Sequence, residues 1–525
     1  MKALINDIIV FGSDKMNSIE IDGHHLTLDD VKAVARDHVR VTLHEKAKER
    51  IIKAEKMVEH YVSEQRVSYG ITTGFGKFSD TLISKEDTSL LQRNLIMSHA
   101  CGAGDIFEEE VVRAIMLLRL NSLALGHSGI RLSTFNTLME MLNRDVYPVV
   151  YEKGSLGASG DLCPLAHLAL VLIGEGEAFV EGQRVSGKEA MEKAHLTPVR
   201  LSAKEGLALI NGTQVMCAVG TLTLYDALML SKCADIALSL SMEALQGIKD
   251  AYDLRLHQVR PHQGQISTAD NVLRLLEGSK NITRQGEMRV QDAYSLRCAP
   301  QVHGACKDAF AHIKDKMEIE INSVTDNPIL FCDDDDAISG GNFHGESVAL
   351  AFDYLGIALS ELGSISERRI EKMVNPAISH GLPAFLTENG GLNSGFMIVQ
   401  YSAAALVSEN KVLAHPASVD SIPSSANQED HVSMGTIAAR KAKEILKNVR
   451  QVIAMEMMCA CQAIDLRQPQ TLGQGSRVAY DLVRQRVPYI KEDTIMYPYI
   501  HRINELIQDE TITLQVEKMI KLKEV

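Results

Sequence analysis

The chain of 525 residues is long enough to form two or three regions with hydrophobic cores of their own. Its hydrophobic fraction of 45% and its charged fraction of 23% are ordinary for a soluble globular protein. A formal net charge of −14 argues against a general nucleic-acid or anionic-membrane surface. With only 13 prolines, 12 phenylalanines and no tryptophan, the composition suits a helical protein better than a sheet-rich one.

The cysteines and the apolar segments indicate in which cellular compartment the protein is expected. Nine scattered cysteines, several inside apolar runs, indicate reduced, buried thiols rather than a disulfide framework. The N-terminal segment 1–15 has a short apolar stretch that Asp7 interrupts, so no secretory signal is expected. The apolar segment 222–245 contains two aspartates and a lysine, which predicts a buried helix rather than a membrane span. A cytoplasmic protein is therefore expected.

The chain is predicted to change character near residue 210. Residues 1–210 are expected to form a mixed domain, in which segments 19–23 and 178–182 look like small surface hairpins. In the second domain, 211–525, apolar residues recur at three- and four-residue spacing, which predicts long helices packed as a bundle. These helices are expected over residues 214–248, 300–321, 346–374, 395–413 and 432–463.

The most informative segment is GSLGASGDLCP, residues 154–164, because its centre can become an electrophile without an external cofactor. If the backbone bends tightly, the amide nitrogen of Gly160 can attack the carbonyl carbon of Ala158 and close a five-membered ring. Loss of two water molecules, one from the former Ala158 carbonyl carbon and one from the Ser159 side chain, then leaves an exocyclic methylidene and gives 4-methylidene-imidazol-5-one (MIO). Glycine suits the attack because it has no Cβ and reaches backbone conformations closed to other residues. Taken alone, Ala-Ser-Gly is more often a small-residue loop before a helix.

The wider run 154–165 resembles the signature of the histidine and aromatic amino-acid ammonia-lyase family, GS-x-G-ASGDL-x-PL, which stands intact here. Further motifs of this family recur along nearly the whole chain. The resemblance implies that Ala158, Ser159 and Gly160 cyclise autocatalytically to MIO and that the enzyme eliminates ammonia from an amino acid. It also implies a mainly α fold, the long-helix bundle of the fumarase–aspartase superfamily, with the MIO residues in the mixed N-terminal domain.

Two more motifs supply candidate catalytic residues. The glycine-rich run 67–76 lacks the Gly-Lys-Ser/Thr ending of a phosphate loop and resembles the family's YG-x-x-TGFG lid. The resemblance makes Tyr69 the candidate base for the substrate β-proton. A phenol has a pKa of about 10, so nearby positive charge or helix N-termini must stabilise the phenolate. Asn211-Gly212 alone would signal a turn, and the resemblance assigns Asn211 to support of the electrophile.

The run 290–298 resembles the family's QD-x-YSLR motif. If the segment is helical, Tyr294 and Arg297 fall on one face because they are three residues apart. The resemblance assigns Tyr294 to catalysis and Gln291 to substrate binding, while the two-pronged guanidinium of Arg297 suits the substrate α-carboxylate. Without the motif, Arg297 would be taken for a surface arginine paired with an acid. Ala293 replaces the proline of some histidine-specific relatives, which bears on the substrate but not on the reaction class.

Two positions indicate the side chain of the substrate, and a third is expected beside the electrophile. The Ser-His pair that ends at His99 resembles the histidine-specific version of the family, and His99 can donate to or accept from an imidazole ring. Glu429 lies in the run SANQEDHVSM, typical of the same version, and its carboxylate can accept an imidazole N–H. Phe343, in the GNFH run, is placed next to the electrophile by the resemblance. Together they predict L-histidine as the substrate, with urocanate and ammonia as products.

Several alternatives stay open. No metal site is predicted, because His344 and Glu346 have no His or Cys partner at ligand spacing and the acidic run 333–336 lacks calcium-loop spacing. Without their motifs, His99 would be a polar-face helix residue and Glu429 an acidic helix start. One rival function is a tyrosine or phenylalanine ammonia-lyase or aminomutase, and another is a non-catalytic scaffold. Either the substrate amine or its imidazole ring could add to MIO.

The resemblance also implies a homotetramer in which each active site is drawn from three chains. Ser159 and Asn211 would come from one protomer, and Tyr69 and Arg297 from others. The segments from 346 to 463 are compatible, because they are more apolar than one exposed helix face allows.

Overall fold

The computed structural model describes residues 18–74, 83–84, 87–468 and 471–525. The N-terminal segment 1–15, and Phe75 and Gly76 of the glycine-rich run, lie outside the described residues. The chain forms two compact units, each made of several chain segments. The first comprises Met1–Ala218, Glu318–Gly345 and Ser421–Thr436, and the second Val219–Met317, Glu346–Asp420 and Ile437–Val525. The predicted domains, 1–210 and 211–525, stay a prediction, because these units are defined by packing rather than by chain order.

The first unit mixes small sheets with helices, and it holds all the strands of the described residues. The strands are β1 (Ile19–Ile21), β2 (Val41–Leu43), β3 (Ala103–Ile106), β4 (Tyr147–Pro148), β5 (Tyr151–Lys153), β6 (Glu177–Val180), β7 (Gln183–Ser186), β8 (Ile329–Phe331) and β9 (Asp336–Ile338). Its helices are α1 (Leu28–Arg36), α2 (Glu45–Ser63), α3 (Thr88–His99), α4 (Glu109–Ala124), α5 (Leu132–Asn143), α6 (Leu162–Leu172), α7 (Gly187–Lys193) and α8 (Glu205–Ile210). Strand β1 pairs in parallel with β2, and β3–β5, β4–β6, β6–β7 and β8–β9 pair antiparallel.

Of the two predicted surface hairpins, one is confirmed as a hairpin, although its Ala178 and Val180 are buried, and the other was wrong. Strands β6 and β7 form a hairpin whose turn residues, Glu181 and Gly182, have φ of 51° and 73°, the left-handed conformation that such tight turns require. Strand β1 instead pairs in parallel with β2, and Ile19 and Ile21 are buried rather than at the surface. Parallel strands need a crossover connection, and α1 supplies it here.

The regular elements that the structure describes in the second unit are all helices. Its helices are α9 (Gln214–Leu245), α10 (Leu254–Gln258), α11 (Gln263–Leu275), α12 (Tyr294–Arg297), α13 (Ala299–Glu320), α14 (Glu346–Val374), α15 (Met397–Leu413), α16 (Gly435–Leu466), α17 (Gln474–Arg486), α18 (Tyr497–Gln508) and α19 (Thr511–Glu517). Helices α9 and α16 begin in the first unit, and α13 ends there. All five predicted long helices are present, because their apolar residues follow the helical period.

Helices α9, α14 and α16 pack closely in the core of the second unit. Gly220 of α9 allows this approach, because a Cβ there would lie 1.9 Å from the ring of Phe352 on α14. On α16 the fully buried Glu456 pairs with Arg369 of α14, the Arg369 Nη2 lying 2.8 Å from Oε2, and accepts from Ser241 Oγ of α9 at 2.7 Å. The buried charge is therefore paired and hydrogen-bonded, as a protein core requires.

Two helices of the described residues, α9 and α14, are long and apolar enough to cross a membrane by length and composition. In the most apolar 18-residue stretch of each helix, 83% is buried inside the protein for α9 and 67% for α14. Core helices of soluble proteins pass the same test, so length and composition are weak support for a span. The burial of α9 agrees with the buried helix predicted over 222–245.

Candidate active site

The loop that carries Ala158, Ser159 and Gly160 lies between β5 and α6 in the first unit. Gly160 has φ of 70°, and a Cβ there would lie 2.2 Å from the carbonyl oxygen of Gly212. Only glycine fits this position, because both the backbone conformation and the close approach exclude a side chain. The same oxygen of Gly212 accepts the N–H of Asp161 at 2.8 Å. The segment that contains Gly160 is therefore held tightly against the chain that enters α9.

Gly157 makes a second close approach in the same loop. Its φ is 71°, and a Cβ there would lie 2.3 Å from Oγ of Ser433. The carbonyl of Gly157 accepts both the N–H and the hydroxyl of Ser433 at 3.3 Å, and the carbonyl of Leu156 accepts the N–H of Met434 at 3.2 Å. These bonds attach the loop to the SANQEDHVSM segment, which the sequence places far along the chain.

Asp161 is fully buried and anchors the loop through both carboxylate oxygens. Its Oδ2 accepts the backbone N–H groups of Val215 at 2.9 Å and Met216 at 2.8 Å, in the first turn of α9. Its Oδ1 accepts the hydroxyls of Ser155, at 2.7 Å, and Thr436. Burial raises the pKa of Asp161, and these hydrogen bonds oppose the rise. No role was predicted for Asp161, although it stands inside the 154–165 motif.

Three of the predicted site residues meet at Ser159. The side-chain amide nitrogen of Asn211 donates to the Ser159 carbonyl oxygen at 2.9 Å. The hydroxyl of Ser159 donates to Oε1 of Glu429 at 2.9 Å. The Oδ1 atom of Asn211 is buried without a hydrogen-bond partner among the described residues. Because an unsatisfied buried acceptor is unfavourable, this oxygen is available to a donor that reaches the site.

Glu429 follows a strained turn. Ser425, Ala426 and Asn427 have φ of 50°, 55° and 66°, a left-handed conformation that non-glycine residues adopt at a cost. Ser424 closes the turn. Its hydroxyl donates to Oε2 of Glu429 at 3.0 Å, and its backbone N–H donates to the backbone carbonyl of Glu429 at 2.9 Å. Helix α16 begins six residues later, at Gly435, so Glu429 is not part of an acidic helix start.

His99 is half-buried as the last residue of α3. Burial lowers the pKa of His99 below its usual value, while a hydrogen bond with the Leu95 backbone and the negative charge of Glu429 raise it. The hydroxyl of Ser98 lies 3.1 Å from Nδ1 of the ring. A neutral imidazole has one donor and one acceptor nitrogen, so His99 can present either to a second imidazole ring.

Tyr69 and Phe343 also belong to the first unit. Tyr69 is half-buried in a turn after α2, where the N–H of Gly70 donates to Oγ1 of Thr73 at 3.2 Å. Phe343 is half-buried in the loop between β9 and α14. Two residues later, a Cβ on Gly345 would lie 2.5 Å from the sulfur of Met216. Their roles at the electrophile stay predictions.

Two histidine rings that are far apart in the sequence stack on each other in the structure. The rings of His344 and His431 are 5.6 Å apart between centroids, with 26° between their planes. No local pattern in the sequence connects these positions, because the contact depends on how the two segments fold together.

Gln291, Tyr294 and Arg297 lie in the second unit. As predicted, Tyr294 and Arg297 share a face of one short helix, α12, and the guanidinium carbon lies 4.7 Å from the centre of the Tyr294 ring. Nε of Arg297 also donates to the carbonyl of Asp292 at 3.1 Å. Gln291 is exposed, and Tyr294 is 68% exposed. The roles of all three toward a substrate stay predictions.

A family model described as aromatic amino acid lyase matches residues 26–485. The chain is 62% identical to a histidine ammonia-lyase of Alkaliphilus oremlandii over 508 residues, which cover 97% of this chain and 100% of the relative. The crystal structure of histidine ammonia-lyase from Trypanosoma cruzi has a TM-score of 0.89 and 41% identity, covering 95% of each chain. That of tyrosine aminomutase from Streptomyces globisporus has a TM-score of 0.92 and 36% identity, covering 96% of this chain and 100% of the other. The predicted fold class is confirmed, and the chain belongs to the aromatic amino acid lyase family.

Proposed function

We propose that the chain is a histidine ammonia-lyase, which converts L-histidine to urocanate and ammonia. The observation that carries this proposal is the carboxylate of Glu429, which lies at Ser159 and close enough to His99 to shift its pKa. Two polar groups in one place suit an imidazole side chain, which has both a donor and an acceptor nitrogen. A phenyl ring would leave them unpaired, and such a site discriminates strongly against an apolar analogue. The 62% identity to a histidine ammonia-lyase supports the same substrate.

We also propose that Ala158, Ser159 and Gly160 form MIO. The residues present fit this group: Gly160 has the positive φ and lacks the Cβ that would block the ring, and Ser159 carries the hydroxyl that is lost as water. Asn211 already donates to the Ser159 carbonyl and retains an unused acceptor oxygen. When formed, MIO supplies an electrophile that makes the substrate β-proton more acidic and the amine a better leaving group.

The remaining residues bind the substrate and move its proton in this proposal. Tyr69 accepts the β-proton, and Arg297 binds the α-carboxylate through its planar pair of donors. Glu429 and His99 hold the imidazole ring. Gln291 and Phe343 contact the substrate in this proposal, and Tyr294 takes part in catalysis, as the family motifs that contain them imply.

The active enzyme is proposed to be a cytoplasmic homotetramer. Support for assembly comes from α15, which exposes large apolar side chains: Ile398, Tyr401 and Val412 are 56%, 59% and 73% exposed. Apolar surface of this kind marks an interface. Support for the compartment comes from the nine cysteines, which are all free thiols and mostly buried.

The test is to incubate the purified protein with L-histidine, L-tyrosine and L-phenylalanine in parallel and to follow urocanate, other acrylates, β-amino acids and ammonia. We expect urocanate and ammonia from histidine, with much slower turnover of the other two. A Ser159→Ala variant serves as the control that cannot form the electrophile. Preferred turnover of tyrosine or phenylalanine would instead identify the rival ammonia-lyase or aminomutase. Absence of product from all three would favour a non-catalytic scaffold.

A further inference from the structure

Beyond His99, the chain leaves α3 and is attached to α6. The backbone N–H of Gly102 donates to Nε2 of His167 at 3.0 Å. His167 lies on α6, which begins directly after the loop that contains Ser159. One hydrogen bond therefore joins the segment that follows a substrate-pocket residue to the helix that follows the electrophile.

The surroundings leave no room for a side chain at Gly102. A Cβ on Gly102 would lie 2.8 Å from Cβ of Tyr151 and 3.0 Å from Nε2 of His167. The Tyr151 ring meets the His167 ring edge-on, with centroids 5.3 Å apart. A Cβ on Gly154 would lie 3.3 Å from Cα of Gly102 and 2.6 Å from the sulfur of Cys163. The imidazole of His167 is thus confined between the Gly102 backbone and an aromatic ring.

The direction of the hydrogen bond defines what His167 must provide. Because a backbone N–H can only donate, Nε2 of His167 accepts the hydrogen bond from Gly102 and carries no proton. Burial lowers the pKa of His167, which favours the neutral ring. A side chain with an acceptor oxygen can replace this function, whereas an aliphatic side chain leaves the Gly102 N–H without a partner.

Helix α3 is also held nearer its start. Oε1 of the buried Gln92 accepts the N–H of Gly206 at 2.8 Å. Gly206 lies in α8, which ends directly before Asn211. The attachment near the start of α3 therefore leads to Asn211, which bonds to Ser159, and the attachment beyond its end leads to α6, which begins after the loop that contains Ser159.

From this geometry we infer that His167 is a positioning residue: through Gly102 it sets the place of His99 relative to Ser159, and so the fit of an imidazole substrate. This inference rests on the proposed function for its kinetic consequence. The position of His99 itself does not depend on which amino acid is the substrate.

The test compares His167→Leu with His167→Gln, which retains an acceptor. For His167→Leu we expect the KM for histidine to rise about tenfold, the loss that corresponds to one hydrogen bond of about 1–1.5 kcal/mol, with a smaller change in kcat. The near-ultraviolet absorbance of MIO should be unchanged. His167→Gln should restore KM to within about threefold of wild type. In protein with isotopically labelled histidine, the NMR titration of His99 should move in His167→Leu and return in His167→Gln.

Wild-type KM and an unmoved His99 titration in His167→Leu would overturn the inference. Equal losses in both variants, with a lowered melting temperature or lost MIO absorbance, would also overturn it, since they indicate a purely structural role. If wild-type protein does not act on histidine, the proposed function fails, and the titration of His99 still decides the inference about His167.

Discussion

The hydroxyl of Ser159 donates a hydrogen bond to Oε1 of Glu429 at 2.9 Å, although the two residues are 270 positions apart in the sequence. The other carboxylate oxygen, Oε2, is held by the hydroxyl of Ser424 at 3.0 Å. The proposed formation of MIO would remove the Ser159 hydroxyl as water, so that Oε1 would lose this donor while Oε2 would keep its own. Ser424 would then orient the carboxylate, with one oxygen open to the N–H of the proposed imidazole substrate.

Replacing Ser159 by alanine should abolish activity and leave the fold intact, because the methylidene carbon derives from the Ser159 side chain. We expect no detectable urocanate formation, a lost near-ultraviolet absorbance and a nearly unchanged melting temperature. The absence of tryptophan lowers the absorbance background. The matched control is Ser63→Ala, at an exposed helix end, which should keep full activity. Full activity in protein whose density shows an uncyclised 158–160 segment would contradict this prediction.

Replacing Glu429 by glutamine should impair histidine turnover more than folding, because the site loses its charged acceptor. Hydrogen bonds to charged groups contribute about 1.5–3 kcal/mol, so kcat/KM for histidine should fall roughly 10- to 150-fold. Steady-state kinetics with histidine and phenylalanine measure the effect, and the preference for histidine should relax. The neighbouring exposed acid provides the control, Asp430→Asn, with near wild-type kinetics. Unchanged histidine kinetics in Glu429→Gln would remove Glu429 from the substrate pocket.

Sequence reasoning reached the long helices and the centre of the site for clear physical reasons. The helices of 214–245 and 346–374 carry an apolar periodicity that determines both their type and their length. Ser159, Asn211 and Glu429 stand in runs that resemble motifs of one family, and the structure hydrogen-bonds the three residues together, while their roles stay predictions.

Other features depend on contacts that no local pattern encodes. Strand β1 has only three residues, too few to specify a parallel partner, so its pairing was predicted incorrectly. Asp161 bonds to Thr436, which is 275 positions away, and His167 acts on a backbone N–H that any residue except proline could offer. Their roles come from the tertiary packing and appear only in the structure.

Activity should fall in acid as His99 becomes protonated. Burial lowers the pKa of His99 below 6.5, while the Glu429 charge raises it. The neutral ring therefore predominates above its ordinary pKa, and the ring becomes charged as pH falls through the lowered value. The acid limb of kcat/KM should lie below pH 6.5, and NMR titration of His99 should give the same midpoint. In Glu429→Gln the His99 midpoint should move to lower pH, and a shift to higher pH would contradict the arrangement.

The buried pair of Lys204 and Asp326 should dominate the local stability of the first unit. Both side chains are fully buried, and Nζ lies 2.8 Å from Oδ2. Lys204→Met leaves a buried carboxylate without its cation and should cost about 3–5 kcal/mol in the free energy of unfolding. Urea denaturation measures the loss. The exposed pair of Lys53 and Asp333 offers the contrast, since Lys53→Met should change stability little.

In the double variant that also replaces Asp326 by asparagine, much of the stability should return, because a neutral amide of nearly the same volume needs no compensating charge and can still accept the N–H of Asn327. A loss in the double variant equal to the sum of the single losses would show that the two charges do not interact.

Mixing two inactive variants tests whether sites are shared between chains. Ser159→Ala lacks the electrophile and Tyr69→Phe lacks the proposed base. If these residues meet across a subunit interface, subunit exchange creates sites with both groups intact. Random exchange in a symmetric oligomer would restore up to about a quarter of wild-type activity. Mixing Ser159→Ala with Asn211→Ala should restore none, since Asn211 bonds to Ser159 within one chain. A monodisperse active monomer, or no recovery despite proven exchange, would count against shared sites.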